Sequence, residues 1–283
     1  MKQDFRHEQD APSTHLRLRY ARAMPGRIRV EHDGPLAEIV FDHPERRNAI
    51  TADMWRAIPE IARELDADES VRVVLLRGEG ELAFVSGADI SQFEEQRSGE
   101  DARRYDIENS SAFDALSSIR KPVVASIHGF CIGGGCAIAL TADLRYCADD
   151  AVFAIPAARL GLGYNAPGIA TLSRIVGEPW AKEIFMTARR YDAQEAEAMG
   201  LVNRVLPKAE LNAFVRKTIE KISQNAPLTL RAAKSAFIDL ARSESKRKPD
   251  EVRAAIRTCI DSEDYAEGVR AFLEKRRPAF HGR

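Results

Sequence analysis

Lys121 to Asp143 read KPVVASIHGFCIGGGCAIALTAD. Val123 to Ile127 are a mostly apolar run of strand length, suited to burial on both faces of a sheet. The glycine triplet Gly133 to Gly135 follows, and an apolar helix begins beyond it. Three glycines let backbone N–H groups come close to a bound group, and a helix N-terminus favours negative charge there. Yet Cys136, Ala137, Ile138 and Ala139 carry neither an acid nor a base. The stretch thus predicts a strand, an anion cradle and a helix, with no proton carrier beside the cradle. Taken alone, the triplet equally suits close packing of a helix on a strand. It is neither GxGxxG nor GxxxxGK[ST], so a nucleotide-phosphate loop is poorly supported.

The pattern on either side extends this unit. RIRVEHDGPLAEIVFD, from Arg27 to Asp42, alternates polar and apolar residues around Gly34-Pro35 and predicts two paired strands. Thr51 is a suitable N-cap for a helix in which Met54, Ile58, Ile61 and Leu65 share one face; Pro59 is expected to weaken or kink it. VRVVLLRG, from Val71 to Gly78, is a second buried strand, and LRYCAD and AVFAIP supply two more. Strand-strand-helix units therefore run to about Pro156. Beyond Gly168 helix signals dominate, at Glu178 to Thr187, Ala193 to Met199, Lys208 to Gln224, Leu228 to Leu240 and Asp250 to Ile260. The fold class is α/β, a sheet-rich core followed by a helical tail.

Of the 283 residues, 42 are Lys or Arg and 43 Asp or Glu, a net charge of -1. Nothing in that balance draws the molecule to nucleic acid or an anionic membrane, so a charged ligand needs local charge. Cys131, Cys136, Cys147 and Cys259 form no CxxC pair, and no metal-ligand spacing is present, which points to a reduced, cytoplasmic protein without structural metal. No apolar run reaches the roughly 18 residues of a membrane helix. Residues 1–26 are arginine-rich but carry Asp4, Glu8 and Asp10, which suits a loosely attached extension rather than a signal or transit peptide.

FVSGADI (84–90) ends one buried strand and GFCIGGGC (129–136) ends the next, so two loops can point donors into one crevice. With NAI (48–50), TADLRYCADDAVFAIPAARLGL (141–162), AQEAEAMGLVNRV (193–205) and EGVRAFLEKRRPAF (267–280), in this order, the chain from Arg27 onward resembles the crotonase family of enoyl-CoA hydratases and isomerases. The resemblance implies a spiral of ββα units over 27–205 and a helical trimerisation region over 206–283, assembled as a homotrimer or a dimer of trimers. It also implies an acyl-CoA substrate, with no cofactor beyond the coenzyme A it carries. The N–H groups of Ala88 and Gly134 would hold the thioester oxygen. Coenzyme A would lie along Ala83, Val85, Ser86, Ala88, Asp89 and Ile90, with Arg46 or Arg47 near phosphates. Lys275 matches a family lysine that reaches the coenzyme A of a neighbouring subunit, beside Phe272.

The resemblance breaks where hydratases place two glutamates, for those positions are Ala137 and Ala157 here. Adding water across a C=C bond needs an acid-base pair, so hydration is disfavoured. RLGLGYNAPG, from Arg159 to Gly168, looks most like the methylmalonyl-CoA decarboxylase branch, whose tyrosine in a YN pair is assigned to the active site; that makes Tyr164 and Asn165 candidate catalytic positions. That branch has a histidine where this chain has Ala88. Three readings follow: a decarboxylase-type enzyme, a silent acyl-CoA-binding subunit, or an atypical hydratase or isomerase borrowing Glu94 or Glu95 as base. Tyr164 is equally readable as a packed loop tyrosine, and Cys131 and Cys136 as core thiols.

Overall fold

A computed structural model describes residues 26–89 and 100–283. Two sheets organise them. The larger has the order β1 (Arg27–Asp33), β2 (Leu36–Asp42), β3 (Val73–Gly78), β5 (Val123–Ile127), β7 (Leu144–Ala148), β10 (Arg204–Leu206). The smaller has the order β4 (Ala83–Val85), β6 (Phe130–Ile132), β8 (Val152–Ala154), β9 (Tyr191–Asp192). β1 and β2 form the expected hairpin, and β2, β3, β5, β7 and β10 are parallel. Three times in succession the chain lays one strand in the large sheet and the next in the small one, as β3-β4, β5-β6 and β7-β8. This is the spiral of ββα units.

The apolar runs are explained by what covers them. Ala37, Ile39, Val74, Leu76, Val123 and Ala125 face a core shared with Trp55 and Ile58 of the Ala52–Ala67 helix and with Ala112 and Leu116 of the Glu100–Ser118 helix. The alternate residues Leu36, Val73, Leu75 and Val124 face a second core closed by Leu211, Val215 and Ile219 of the Lys208–Ser223 helix. With both faces buried, alternation is lost and the strands read as continuous apolar runs.

Thr51 caps the first of these helices, its side chain accepting from Met54 N at 3.3 Å. Pro59 does not interrupt it: the helix runs from Ala52 to Ala67. A proline inside a helix costs about 3 kcal/mol, and burial of Met54, Trp55, Ile58, Ala62 and Leu65 outweighs that. In the tail, Glu178–Thr187 matches its expected bounds, and Ala193–Ala198, Lys208–Ser223, Pro227–Leu240 and Pro249–Ile260 lie within one residue of theirs at each end. Two helices not separated in the sequence reading, Ala166–Val176 and Glu263–Leu273, complete it. Among the described residues no helix is long and apolar enough to cross a membrane.

Because the Lys208–Ser223 helix closes the second core, the residues after 205 begin with an integral part of the sheet's packing. Leu211 is 0% exposed. Leu211→Ala should therefore cost about 2 to 5 kcal/mol of stability in urea unfolding, whereas a peripheral helix would lose less than 1 kcal/mol or so.

Candidate active site

Three loops leave the C-terminal ends of β4, β6 and β8, which lie side by side and parallel. They carry residues 86–89, 133–137 and 155–160. Gly133 N donates to Ala154 O at 2.8 Å, which ties the second loop to the third where they begin. Parallel neighbours end on the same edge, so all three loops open on one crevice.

The first loop is held by a fourth segment. Ile50 N donates to Gly87 O and Asp89 N donates to Ile50 O, both at 2.9 Å. In a parallel bridge a residue bonds to the neighbours of its partner, so the N–H and C=O of Ala88 turn away from Ile50. Ser86 N and Oγ donate to Arg47 O and Arg46 O, each at 3.1 Å. Asn48 locks this arrangement from beneath. It is 1% exposed and left-handed, with φ of 57°, a conformation asparagine tolerates better than most residues. Its Nδ2 donates to Glu79 O at 3.0 Å and Ala83 O at 2.8 Å, and its Oδ1 accepts from His43 N at 3.1 Å.

The second loop turns at Gly133, with φ of 55°, into the Gly134–Thr141 helix. Gly134 is its first residue, so its N–H has no carbonyl one turn back within the helix. A Cβ built on Gly134 would lie 4.0 Å from Ala88 N and 3.2 Å from the Trp55 ring. Gly134 and the main-chain N–H of Ala88 thus neighbour one another beside the Trp55 indole, which Phe113 meets edge-on at 5.3 Å. An oxygen between them would accept two neutral N–H bonds and feel the helix dipole, the arrangement that stabilises an oxyanion.

The remaining expected residues divide clearly. Ala83 and Val85, with side chains buried at 1% and 0%, build the strand that carries the loop. Arg46 and Arg47 are exposed beside Ser86, with the Arg47 guanidinium 4.8 Å from the Phe130 ring centroid. Ala137 is half-buried at the helix start, and Ala157 is a core methyl at 5%. Tyr164 is half-buried, packed edge-on against Phe185 at 4.9 Å. Asn165 is the N-cap of the Ala166–Val176 helix, its Oδ1 accepting from Gly168 N at 3.0 Å. That helix packs on the glycine-triplet helix. Phe272, 82% exposed, and Lys275 lie at the far end of the Glu263–Leu273 helix, which packs on Pro249–Ile260. Ile90, Glu94 and Glu95 lie outside the described residues.

Burial pushes the Cys131 thiol well above its ordinary range and that of Cys147 up to about 12. Cys136 Sγ donates to Cys131 O at 2.8 Å. These sulfurs are core thiols rather than nucleophiles. Sequence reasoning missed Asn48 as the lock and Trp55 as the floor. Asn48→Ala would leave Glu79 O, Ala83 O and His43 N without this partner, at about 1 to 3 kcal/mol for each group that stays dry. A urea midpoint equal to that of the parent would refute the lock.

The Enoyl-CoA hydratase/isomerase family profile matches residues 31–283. A short-chain-enoyl-CoA hydratase of Clostridium acetobutylicum is 34% identical over 248 residues, 88% of this chain and 95% of that protein. A carnitinyl-CoA dehydratase of Salmonella enteritidis is 34% identical over 267 residues, 90% of this chain and 98% of its own. Among solved structures, an enoyl-CoA hydratase/carnithine racemase from Magnetospirillum magneticum superposes with a TM-score of 0.84 at 35% identity, covering 90% and 96% of the two chains. An enoyl-CoA hydratase from Bacillus anthracis gives 0.85 at 29% identity over 90% and 99%. With these matches and its alternating two-sheet spiral, the chain belongs to the crotonase, or enoyl-CoA hydratase/isomerase, family.

Proposed function

We propose that the protein converts a small acyl-CoA thioester through an enolate, with the thioester oxygen held by the N–H groups of Ala88 and Gly134. The observation that supports this reading is that Gly134, at a helix start that bears no acid, lies beside the main-chain N of Ala88. Coenzyme A, as part of the substrate, then lies along Ser86 to Ile90 with its phosphates near the exposed Arg46 and Arg47, and no further cofactor is required. The four free cysteines support a reducing, cytoplasmic setting.

The reaction favoured is decarboxylation rather than hydration. The two positions where hydratases of the family carry glutamate are Ala137 and Ala157, and a general acid-base pair is worth about 10² to 10⁴ in rate. Loss of CO₂ needs no base. The bond between the α-carbon and the carboxylate breaks, its electron pair passes into the enolate, CO₂ departs, and a proton from Tyr164 or water restores the α-carbon. Methyl groups at 137 and 157 also suit a substrate carboxylate, since a like charge about 4 Å away would cost roughly 4 kcal/mol at an effective dielectric near 20.

A second reading, a silent acyl-CoA-binding subunit, is favoured by the packing of Tyr164 on Phe185 and by the use of Asn165 as a helix cap. The exposed apolar residues Phe237, Leu240, Ile260, Tyr265, Phe272 and Leu273 on the tail helices support a homotrimer or a dimer of trimers, in which Lys275 would reach a neighbour's coenzyme A.

Purified protein incubated with malonyl-, methylmalonyl- and crotonyl-CoA should release CO₂ from a malonyl-type substrate and hydrate crotonyl-CoA no faster than background, as read by mass spectrometry. Rapid crotonyl-CoA hydration would overturn the decarboxylase reading, and binding without turnover would establish the silent one. Gly134→Pro tests the hole: proline is tolerated at a first helical position but has no N–H. It should lower kcat/KM by about 10² to 10³, whereas Gly134→Ala, which brings the same Cβ toward Trp55 and keeps the donor, should lose much less. Tyr164→Phe should lower kcat with little change in KM if the hydroxyl acts in the transition state.

A further inference from the structure

A cavity of about 350 Å³ opens at the foot of the large sheet, next to the residues that precede β3 and β5. This is the end of those strands opposite to the one from which the chain enters the crevice loops. Arg72, Lys121, Arg231 and Arg283 line it, and Glu69 is the one acidic side chain among the described lining residues. Arg283 pairs with Glu263 at 3.2 Å. Among the described residues the other three cations have no carboxylate partner within salt-bridge distance. Arg72 donates to the carbonyls of Ser223 and Phe280, and Lys121 to those of Leu65 and Asp68. Arg231 has no hydrogen bond or ion pair among the described residues.

Lys121 makes the imbalance costly, because it is 1% exposed. A buried ammonium is ordinarily paired with a carboxylate. Burial first, and then the Arg231 charge, hold its ammonium below the ordinary lysine value. Asp66 and Asp68 act in the opposite direction, but their carboxylates are engaged by Arg120 and Ser70. An ammonium has three donors, and the two carbonyls use two of them. The Pro227–Leu240 helix begins on the same cavity with no side-chain cap, which adds positive potential from its free N–H groups.

We propose that this cavity binds a small oxyanion, a phosphate or carboxylate group, at a site separate from the crevice between Ala88 and Gly134. The anion would be met by Arg72, Lys121 and Arg231, which come from three different elements, and it would neutralise the buried ammonium. The volume suits inorganic phosphate or a small polycarboxylate, and excludes a bulky ligand.

Isothermal titration of the full chain at fixed ionic strength, with inorganic phosphate, citrate and chloride, tests the proposal. Saturable binding of phosphate or citrate but not chloride is expected, and the tighter of the two identifies the group recognised. Arg231→Gln removes the charge of a side chain that makes no hydrogen bond or ion pair among the described residues and should weaken that binding about tenfold or more. The double variant Arg46→Gln, Arg47→Gln should leave it unchanged, because those cations stand at the crevice. Binding no stronger than that of chloride, full binding by Arg231→Gln, or loss of binding in the double variant would each overturn the site. None of these results depends on whether the acyl-CoA reading holds.

Discussion

Everything at the crevice depends on how closely the glycine-triplet helix lies on β4. A Cβ at Gly135 would fall 2.1 Å from Val85 O and 2.9 Å from the Val85 side chain, so no residue with a side chain fits there without parting the two. That contact sets the spacing between the two loops. Ala88 is three residues beyond Val85 and Gly134 one residue before Gly135, so the two donors are positioned by the same backbone contact. The triplet therefore serves packing, and in the reading proposed above the same contact would also set the spacing of the two donors.

Rigidity at this point comes from hydrogen bonds rather than from bulk. Asn48 spends three of its bonds on main-chain groups of two other segments, and Ile50 clamps the residues on either side of Ala88. A donor pair fixed before substrate arrives loses little in reorganisation when charge develops on an oxygen, which is why such pairs act mainly on the transition state. The absence of ionised side chains at Ala137 and Ala157 sharpens the effect, since a neutral, partly buried wall screens the developing charge less than a hydrated one.

The long-range order was legible where burial wrote a long signal. β3 and β5 showed as apolar runs because helices cover both of their faces, and the tail helices showed through their spacing. The small sheet was not legible as a sheet. β4, β6 and β8 are three residues each and β9 two, too short for a periodicity, and β6 is embedded in the glycine-rich stretch read as a loop. Ala88 and Gly134 drew attention because they sit next to conspicuous glycines. Asn48 was not, because its acceptors are 31 and 35 residues away in the chain, and Trp55 was overlooked because the helical stripe was traced through Met54 and Ile58. Pro59 misled for the related reason that a local cost is visible in sequence and the tertiary burial that outweighs it is not.

Charge is distributed in a way that composition could not reveal. A net charge of -1 conceals two exposed arginines, Arg46 and Arg47, beside Ser86 and, at the other end of the same strands, a cavity lined by four cationic side chains and one exposed acidic one. Main-chain donors cannot be titrated or lost by a charge mutation, so the proposed chemistry at the crevice would be insulated from pH in a way that a glutamate pair is not. The foot of the sheet is the reverse case: Lys121 immediately precedes the proline that leads into β5, so its buried charge is anchored to the strand whose far end leads into the Gly134 turn. What the two ends share is a concentration of positive potential, made of peptide dipoles at one and of side chains at the other, and only the first can follow charge as it moves onto an oxygen during a reaction.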